Sequence, residues 1–181
     1  MTNEYKYCGK NVKIYEFAKI INQKNLSIGN YSQIDDFVFI NTGITCSIGE
    51  FVHISSFVSI IGGGEFIIDD FAGLSAGCRI ITGSDDFKGP YLSNPTVPSK
   101  YKNVRTGKVK IGKHAIIGSN SVILPDIEIP EGTTVGAGSI ISKSLEPWTI
   151  YAGFNPRKVG ERSKDGIYDL ERKLKLELGI L

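Results

Sequence analysis

Aliphatic residues recur along this chain at a spacing that neither a helix nor an isolated strand produces. Ile14, Ile20, Ile28, Ile34, Ile40, Ile48, Ile54, Ile60, Ile68, Leu74 and Ile80 form one series, and Ile111, Ile117, Ile123, Ile129, Val135 and Ile141 form a second. Within each series the step is six residues, except for three steps of eight at 20→28, 40→48 and 60→68. An amphipathic helix requires steps of three and four, and a two-sided strand does not repeat every six residues. The pattern predicts an all-β hexapeptide solenoid of just under six turns, in which each aliphatic residue is one rung of a ladder.

The residues around the rungs support this reading. Two positions before a rung the residue is nearly always small, as at Ala18, Ser32, Cys46, Ala72, Cys78, Ala115, Ser121, Thr133 and Ser139. Leu26, Phe66 and Ile127 are larger exceptions. Strand side chains alternate, so this slot and the rung both face inward. Cys46 and Cys78 are therefore expected as buried space-fillers. One position after a rung Gly, Asp, Asn and Ser predominate, at Gly29, Asp35, Asn41, Gly49, Gly112 and Gly118 among others. These types suit a corner with positive φ.

The three eight-residue steps start twenty residues apart, so with three rungs per turn they all lie at one edge of a triangular prism. The next step at that edge starts at Ile80, where TGSDDFKGPYLSNPTVPSKYKNVRTGK (82–108) is inserted before the ladder resumes. A loop of this length inside a compact repeat points to function. The ladder thus defines a β-helix domain over 1–146 with an insertion at 82–108, and 147–181 form a tail. A short helix is predicted there with Asp165 as N-cap, Ile167, Leu170, Leu174 and Leu178 on one face, and Gly179 at its end. It is expected to cap the open end of the solenoid.

Charge and composition narrow the partners. A net charge of +2 over 181 residues gives no basis for nucleic acid or an anionic membrane as the main partner. No apolar stretch reaches the length of a membrane span, and the start MTNEYKYCGKNVKIYEF lacks the apolar core of a signal peptide, so a cytoplasmic protein is expected. Cys8, Cys46 and Cys78 have no close spacing that would suggest a disulfide framework or a zinc site.

The rungs and the loop position, together with IGKHAIIGSNSVILP (111–125), VGAGSIISKSL (135–145), IYAGFNPRKV (150–159) and SDDFKGPYLSNPTVP (84–98), resemble the hexapeptide-repeat acyltransferases. The likeness covers almost the whole chain and is closest to the sugar acetyltransferases of bacterial surface-polysaccharide synthesis. It implies a left-handed parallel β-helix, a homotrimer with sites between adjacent subunits, acetyl-CoA as co-substrate and no metal. It also implies that the pantetheine arm runs past the small corner residues Ser119 and Ala137, and that Ser142 and Lys143 match a Thr-Lys pair near the nucleotide end. The family pattern Ala-Gly-x-Pro-x-(Lys/Arg)-Val falls on Ala152, Gly153, Pro156, Lys158 and Val159. Phe154-Asn155 is one residue longer than that pattern, which leaves Arg157 and Lys158 as alternative partners of a CoA phosphate.

Acyl transfer requires a base for the acceptor's proton and a donor for the oxyanion. Histidine is the usual base near neutral pH, and the chain has two, His53 and His114. His53 lies between inward Val52 and inward Ile54, so it must point outward, and it is the expected catalytic residue. His114, in a lysine-flanked corner, is expected at the surface. In the related galactoside and maltose acetyltransferases the histidine comes from the long loop, just after a Gly. Here that place reads Gly83-Ser84-Asp85-Asp86. Asp85 and Asp86 are therefore expected to bind the acceptor, with Ser55 beside His53, and either acid is an alternative base.

The metal-dependent members of this fold use three histidines, which this chain does not have. A purely structural solenoid would need neither the loop nor the Gly-Ala-Gly turn at 136–138. The expected activity is N-acetylation of a nucleotide-linked amino sugar, with O-acetylation of a sugar hydroxyl as the alternative.

Overall fold

The computed structural model describes residues 5–180, which form a parallel β-helix with three strand-bearing faces. The first face stacks Tyr7–Cys8, Leu26–Ile28, Thr45–Ile48, Glu65–Ile68, Lys108–Ile111 and Ile127–Ile129 in order. The second stacks Lys13–Ile14, Gln33–Ile34, His53–Ile54, Gly73–Leu74, Ile116–Ile117 and Thr134–Val135. The third runs from Lys19–Ile21 to Ile140–Ile141 in the same manner. Ile28, Ile34, Ile40, Ile54 and Ile60 are wholly buried, as are their counterparts Ile111, Ile117, Ile123, Ile129 and Ile141.

The solenoid is longer than the rung count predicts. Tyr7–Cys8 pairs with Ser27–Ile28, which adds a rung at Cys8 and completes a first turn. Cys8 is neither β-branched nor leucine, and at the end of the stack it remains exposed. At the other end Thr149–Ala152 stacks on Thr134–Val135, so the ladder continues past the expected boundary at 146. Arg157–Glu161 then folds back antiparallel on that strand.

The three large inward exceptions all lie on the first face, where the register places Leu26, Cys46, Phe66, Val109 and Ile127 one above another. Large and small side chains alternate up this column, so Phe66 fits between Cys46 and Val109 at 1% exposure. Cys46 and Cys78 are fully buried, and burial pushes the Cys46 thiol up to about 12. Buried hydroxyls join adjacent coils. Ser32 Oγ donates to the Gly49 carbonyl at 2.7 Å and accepts from the Val52 amide at 3.0 Å.

The corner rule requires correction. Positive φ occurs three residues after the rung, at Tyr31, Phe37, Phe51, Phe57, Phe71, His114, Asn120 and Asp126, with φ between 55° and 64°. Bulky residues are disfavoured there. The rings offset that strain by stacking, with Tyr31–Phe51 centroids at 4.8 Å, Phe51–Phe71 at 4.7 Å and Phe37–Phe57 at 5.3 Å. Glycine after the rung serves close approach instead. A Cβ on Gly29 would lie 2.5 Å from the Gly49 carbonyl carbon of the next coil.

The C-terminal helix, α1, spans Lys164–Leu178, with Ser163 as N-cap and Asp165 inside its first turn. Gly179 ends it at φ 64°, its amide donating to the Leu176 carbonyl. The helix does not cap the open end. Its polar residues carry it back along the edge between the first and second faces, from Lys164 over Trp148 to Lys175 over Phe71. Tyr168 donates to Glu131, and Glu171 meets Lys113 and His114 on the way. His114 is accordingly buried, at 6% exposure, and not a surface residue.

Candidate active site

His53 points outward from the second face, as the alternation of strand side chains requires, and half of its side chain is exposed. It is not isolated there. Its Nε2 lies 2.9 Å from Asp35 Oδ2, one coil below. Gln33 donates to the other carboxylate oxygen at 2.8 Å. Burial acts to raise the Asp35 pKa, but the bonds from Gln33 and His53, with the Ser56 amide, outweigh it and hold the carboxyl below its usual range. Ser55 follows the rung Ile54 at the same level and is half-buried.

The inserted loop begins as an antiparallel ribbon, Gly83–Asp85 against Val104–Thr106. Just beyond it the two acids take different parts. Asp86 accepts from the Lys88 and Gly89 amides, both at 2.9 Å, and from Asn103 Nδ2 at 2.7 Å. Those bonds lower its pKa, led by the Lys88 amide, and engage both carboxylate oxygens in shaping the loop. Asp85 uses only Oδ2, which accepts from the Asn94 amide at 3.0 Å; Oδ1 has no partner among the described residues.

A cavity of about 400 Å³ lies under the base of the loop. Residues 84–88 and 105–107 line one side, and Leu124, Pro125, Asp126 and Ser142 line the other. It brings Asp85 and Asp86, named as acceptor residues, together with Ser142, named as a cofactor residue. Lys88 and Arg105 supply its positive charge, which the loop sequence alone did not single out.

The remaining site residues lie elsewhere on the chain. Ser119 and Ala137 occupy stacked corners between the second and third faces, where the Gly138 amide donates to the Ser119 carbonyl at 2.8 Å. Phe154, whose carbonyl accepts from the Ile140 amide, continues that edge with its ring 73% exposed. The extra residue at Phe154-Asn155 was the signal for it. Lys143 is exposed beside Ser142. Lys158 is held by Glu161 at 3.0 Å and Glu146 at 3.4 Å, whereas Arg157 makes no ion pair among the described residues. No group of His, Cys, Asp and Glu among the described residues is placed to hold a metal ion. No described helix is long and apolar enough to cross a membrane.

Comparison with known proteins bears on the fold and the family. Residues 108–143 match the family model "Bacterial transferase hexapeptide (six repeats)". The dTDP-4-amino-4,6-dideoxy-D-glucose acyltransferase of Escherichia coli is 40% identical over 161 residues, covering 88% of this chain and 84% of that protein. AntD, an N-acyltransferase from Bacillus cereus solved with dTDP and 3-hydroxybutyryl-CoA, superposes with a TM-score of 0.89. It is 40% identical, over 97% of this chain and 93% of its own. A maltose O-acetyltransferase from Clostridium difficile shares the fold alone, with 18% identity, a TM-score of 0.58 and coverage of 89% of this chain and 72% of that one. The chain belongs to the hexapeptide-repeat acyltransferases.

Proposed function

We propose that this protein transfers the acyl group of an acyl-CoA to the amino group of a nucleotide-linked sugar. The observation that carries the proposal is the 40% identity, over most of both chains, to an acyltransferase named for a dTDP-amino sugar. The cavity chemistry supports it, because a carboxylate with a free oxygen at Asp85 suits an amine, and Lys88 and Arg105 suit a diphosphate. AntD has been solved with substitutions at a serine and at an aspartate ten residues further on. Two such pairs occur here, Ser59–Asp69 and Ser75–Asp85, and only the second places its aspartate in the cavity. In this reading His53 is the base, Asp85 orients the acceptor, and Asp86 shapes the loop that presents it. Ser119, Ala137, Ser142, Lys143 and Arg157 form the path of the CoA.

Acetyl-CoA is the first donor to test and 3-hydroxybutyryl-CoA the second. With either, dTDP-4-amino-4,6-dideoxyglucose should release CoA thiol and gain the acyl mass, while dTDP-glucose should do neither. Equal transfer to the hydroxyl sugar would favour O-acylation, and transfer to neither would overturn the proposal. A role in surface-glycan synthesis and a cytoplasmic location belong to the same reading.

The site residues of a single chain lie in separate places, and an apolar strip supports a second copy that would unite them. Phe17, Phe37 and Phe57 stack at the edge next to His53, each more than half exposed, with Phe39 and Ile61 beside them. A strip of that kind on a folded chain favours an interface. In the proposed homotrimer each subunit covers its neighbour's strip and brings a loop towards His53. Light scattering should give three times the 19.8 kDa chain mass. A monomer at micromolar concentration would overturn both the trimer and the shared site.

A further inference from the structure

His53 and Asp35 form a pair whose geometry says which ring nitrogen is available. An ionised carboxylate only accepts hydrogen bonds, so the His53 Nε2 that meets Asp35 Oδ2 at 2.9 Å carries the hydrogen. The neutral ring then holds its lone pair on Nδ1, for which the described residues provide no partner. Asp35 is itself held. Gln33 grips Oδ1 from the same face, and the Asp35 amide donates to the Ile54 carbonyl at 3.0 Å. The outward row on this face reads Lys13, Gln33, His53, Gly73, Ile116 in register. Directly above the imidazole, therefore, the row has no side chain. A Cβ placed on Gly73 would meet only the His53 carbonyl oxygen, at 3.9 Å, so packing does not require glycine there.

We infer that Asp35 is a positioning residue that sets the tautomer of His53 so that Nδ1 accepts the proton. Gly73 keeps the approach to that nitrogen clear for an amine-bearing sugar. The inference rests on the reading of His53 as base. As the acceptor nitrogen bonds to the thioester carbon, its proton passes to Nδ1. Collapse of the tetrahedral intermediate breaks the C–S bond, and the proton on Nδ1 passes to the departing thiolate. The ring returns to its starting tautomer, and Asp35 stays ionised throughout. The immediate strand neighbours Gln33 and Gly73 do not titrate, and Asp36 is engaged with the Phe17 amide, so Asp35 is the charge that faces the ring.

Only two histidines contribute imidazole signals, so nitrogen-resolved NMR can assign His53 by its loss in His53→Asn. At mildly alkaline pH the parent should show hydrogen on Nε2 and a bare Nδ1. Asp35→Ala should mix the tautomers and lower kcat on the order of 10²-fold, with the KM for acyl-CoA unchanged and part of the rate regained in Asp35→Glu. Gly73→Leu should keep the parental tautomer and raise the acceptor KM about tenfold. If Asp35→Ala does not fold, Asp35→Asn preserves the shape and removes the charge, and should also lower kcat. Hydrogen on Nδ1 in the parent, or parental kcat in the folded Asp35 variants, would overturn the inference while leaving His53 as base. Parental kcat in His53→Asn would remove the base reading itself, and this inference with it.

Discussion

Replacement of His53 by asparagine lowers kcat by on the order of 10²–10⁴, with folding and assembly retained. The stability half of that expectation comes from the strand. Val52 and Ile54 are buried on either side, and the ring between them contributes nothing to the core. The rate half comes from proton transfer, since asparagine cannot take a proton from the acceptor. The parent should also lose activity in acid, because a protonated ring has no lone pair to offer, and the variant should lack that limb of the pH profile. An amine that binds already neutral makes a lighter demand on a base than a hydroxyl does. The comparison is therefore made with any hydroxyl acceptor found as well as with the amino sugar. Near-parental kcat with an unchanged acid limb would exclude His53 and transfer the role to Asp85.

The direction of His53 was legible from sequence because a strand has only two sides and the rungs label one of them. The ladder was legible for a related reason. Each coil stacks in register on the next, so every inward slot repeats the same steric demand at nearly fixed intervals. What could not be read was anything set by contacts between coils. The alternation Leu26, Cys46, Phe66, Val109, Ile127 makes sense only once residues about twenty apart, or across the 27-residue insertion, are placed in one column. The corner conformation was misplaced because local preference favours glycine at positive φ, whereas stacked aromatic rings stabilise that backbone across several coils at once.

The Asp35–His53 pair falls between these cases. Asp35 was visible as the residue after a rung, and His53 as the residue before the corresponding rung one coil on. Outward positions offset in this way on neighbouring strands are within reach of each other, so the pair was available to a reading that compared faces as well as periods. His114 was not. Its burial depends on the direction taken by α1, and no periodicity in the solenoid specifies how a terminal helix runs. Asp86 was half legible: its place at the loop base was clear, but its commitment to the Lys88 and Gly89 amides is a matter of turn geometry.

Glu171→Ala should release α1 from the prism edge, at a cost of roughly 3 kcal/mol of docking energy. Glu171 is 9% exposed and accepts from Lys175 at 2.7 Å, from Lys113 at 2.8 Å and from His114 at 2.8 Å. Removing it leaves two lysines and a buried imidazole without their shared acceptor. Burial alone would raise the carboxyl's pKa, but the bonds from Lys113, Lys175 and His114 outweigh it and push the value down from 4.5 to about 2. A group whose folded pKa lies below its unfolded value stabilises the fold fully above the unfolded pKa. That contribution is then lost as pH falls through the folded pKa, here from about 4.5 towards 2. In the parent, α1 should accordingly loosen across that interval while the stacked coils keep their β-sheet signal, because the rungs carry no carboxylate. The single tryptophan reports on this directly, since Trp148 packs at 5.5 Å from Tyr168 and 6.1 Å from His114 at the same edge. Its emission should shift to the red in acid for the parent and already at neutral pH for the variant. Glu171→Gln, which keeps a hydrogen-bond acceptor without the charge, should fall between them. Parental emission and an unchanged acid transition in Glu171→Ala would show that the apolar face of α1, and not this carboxylate, holds the helix in place.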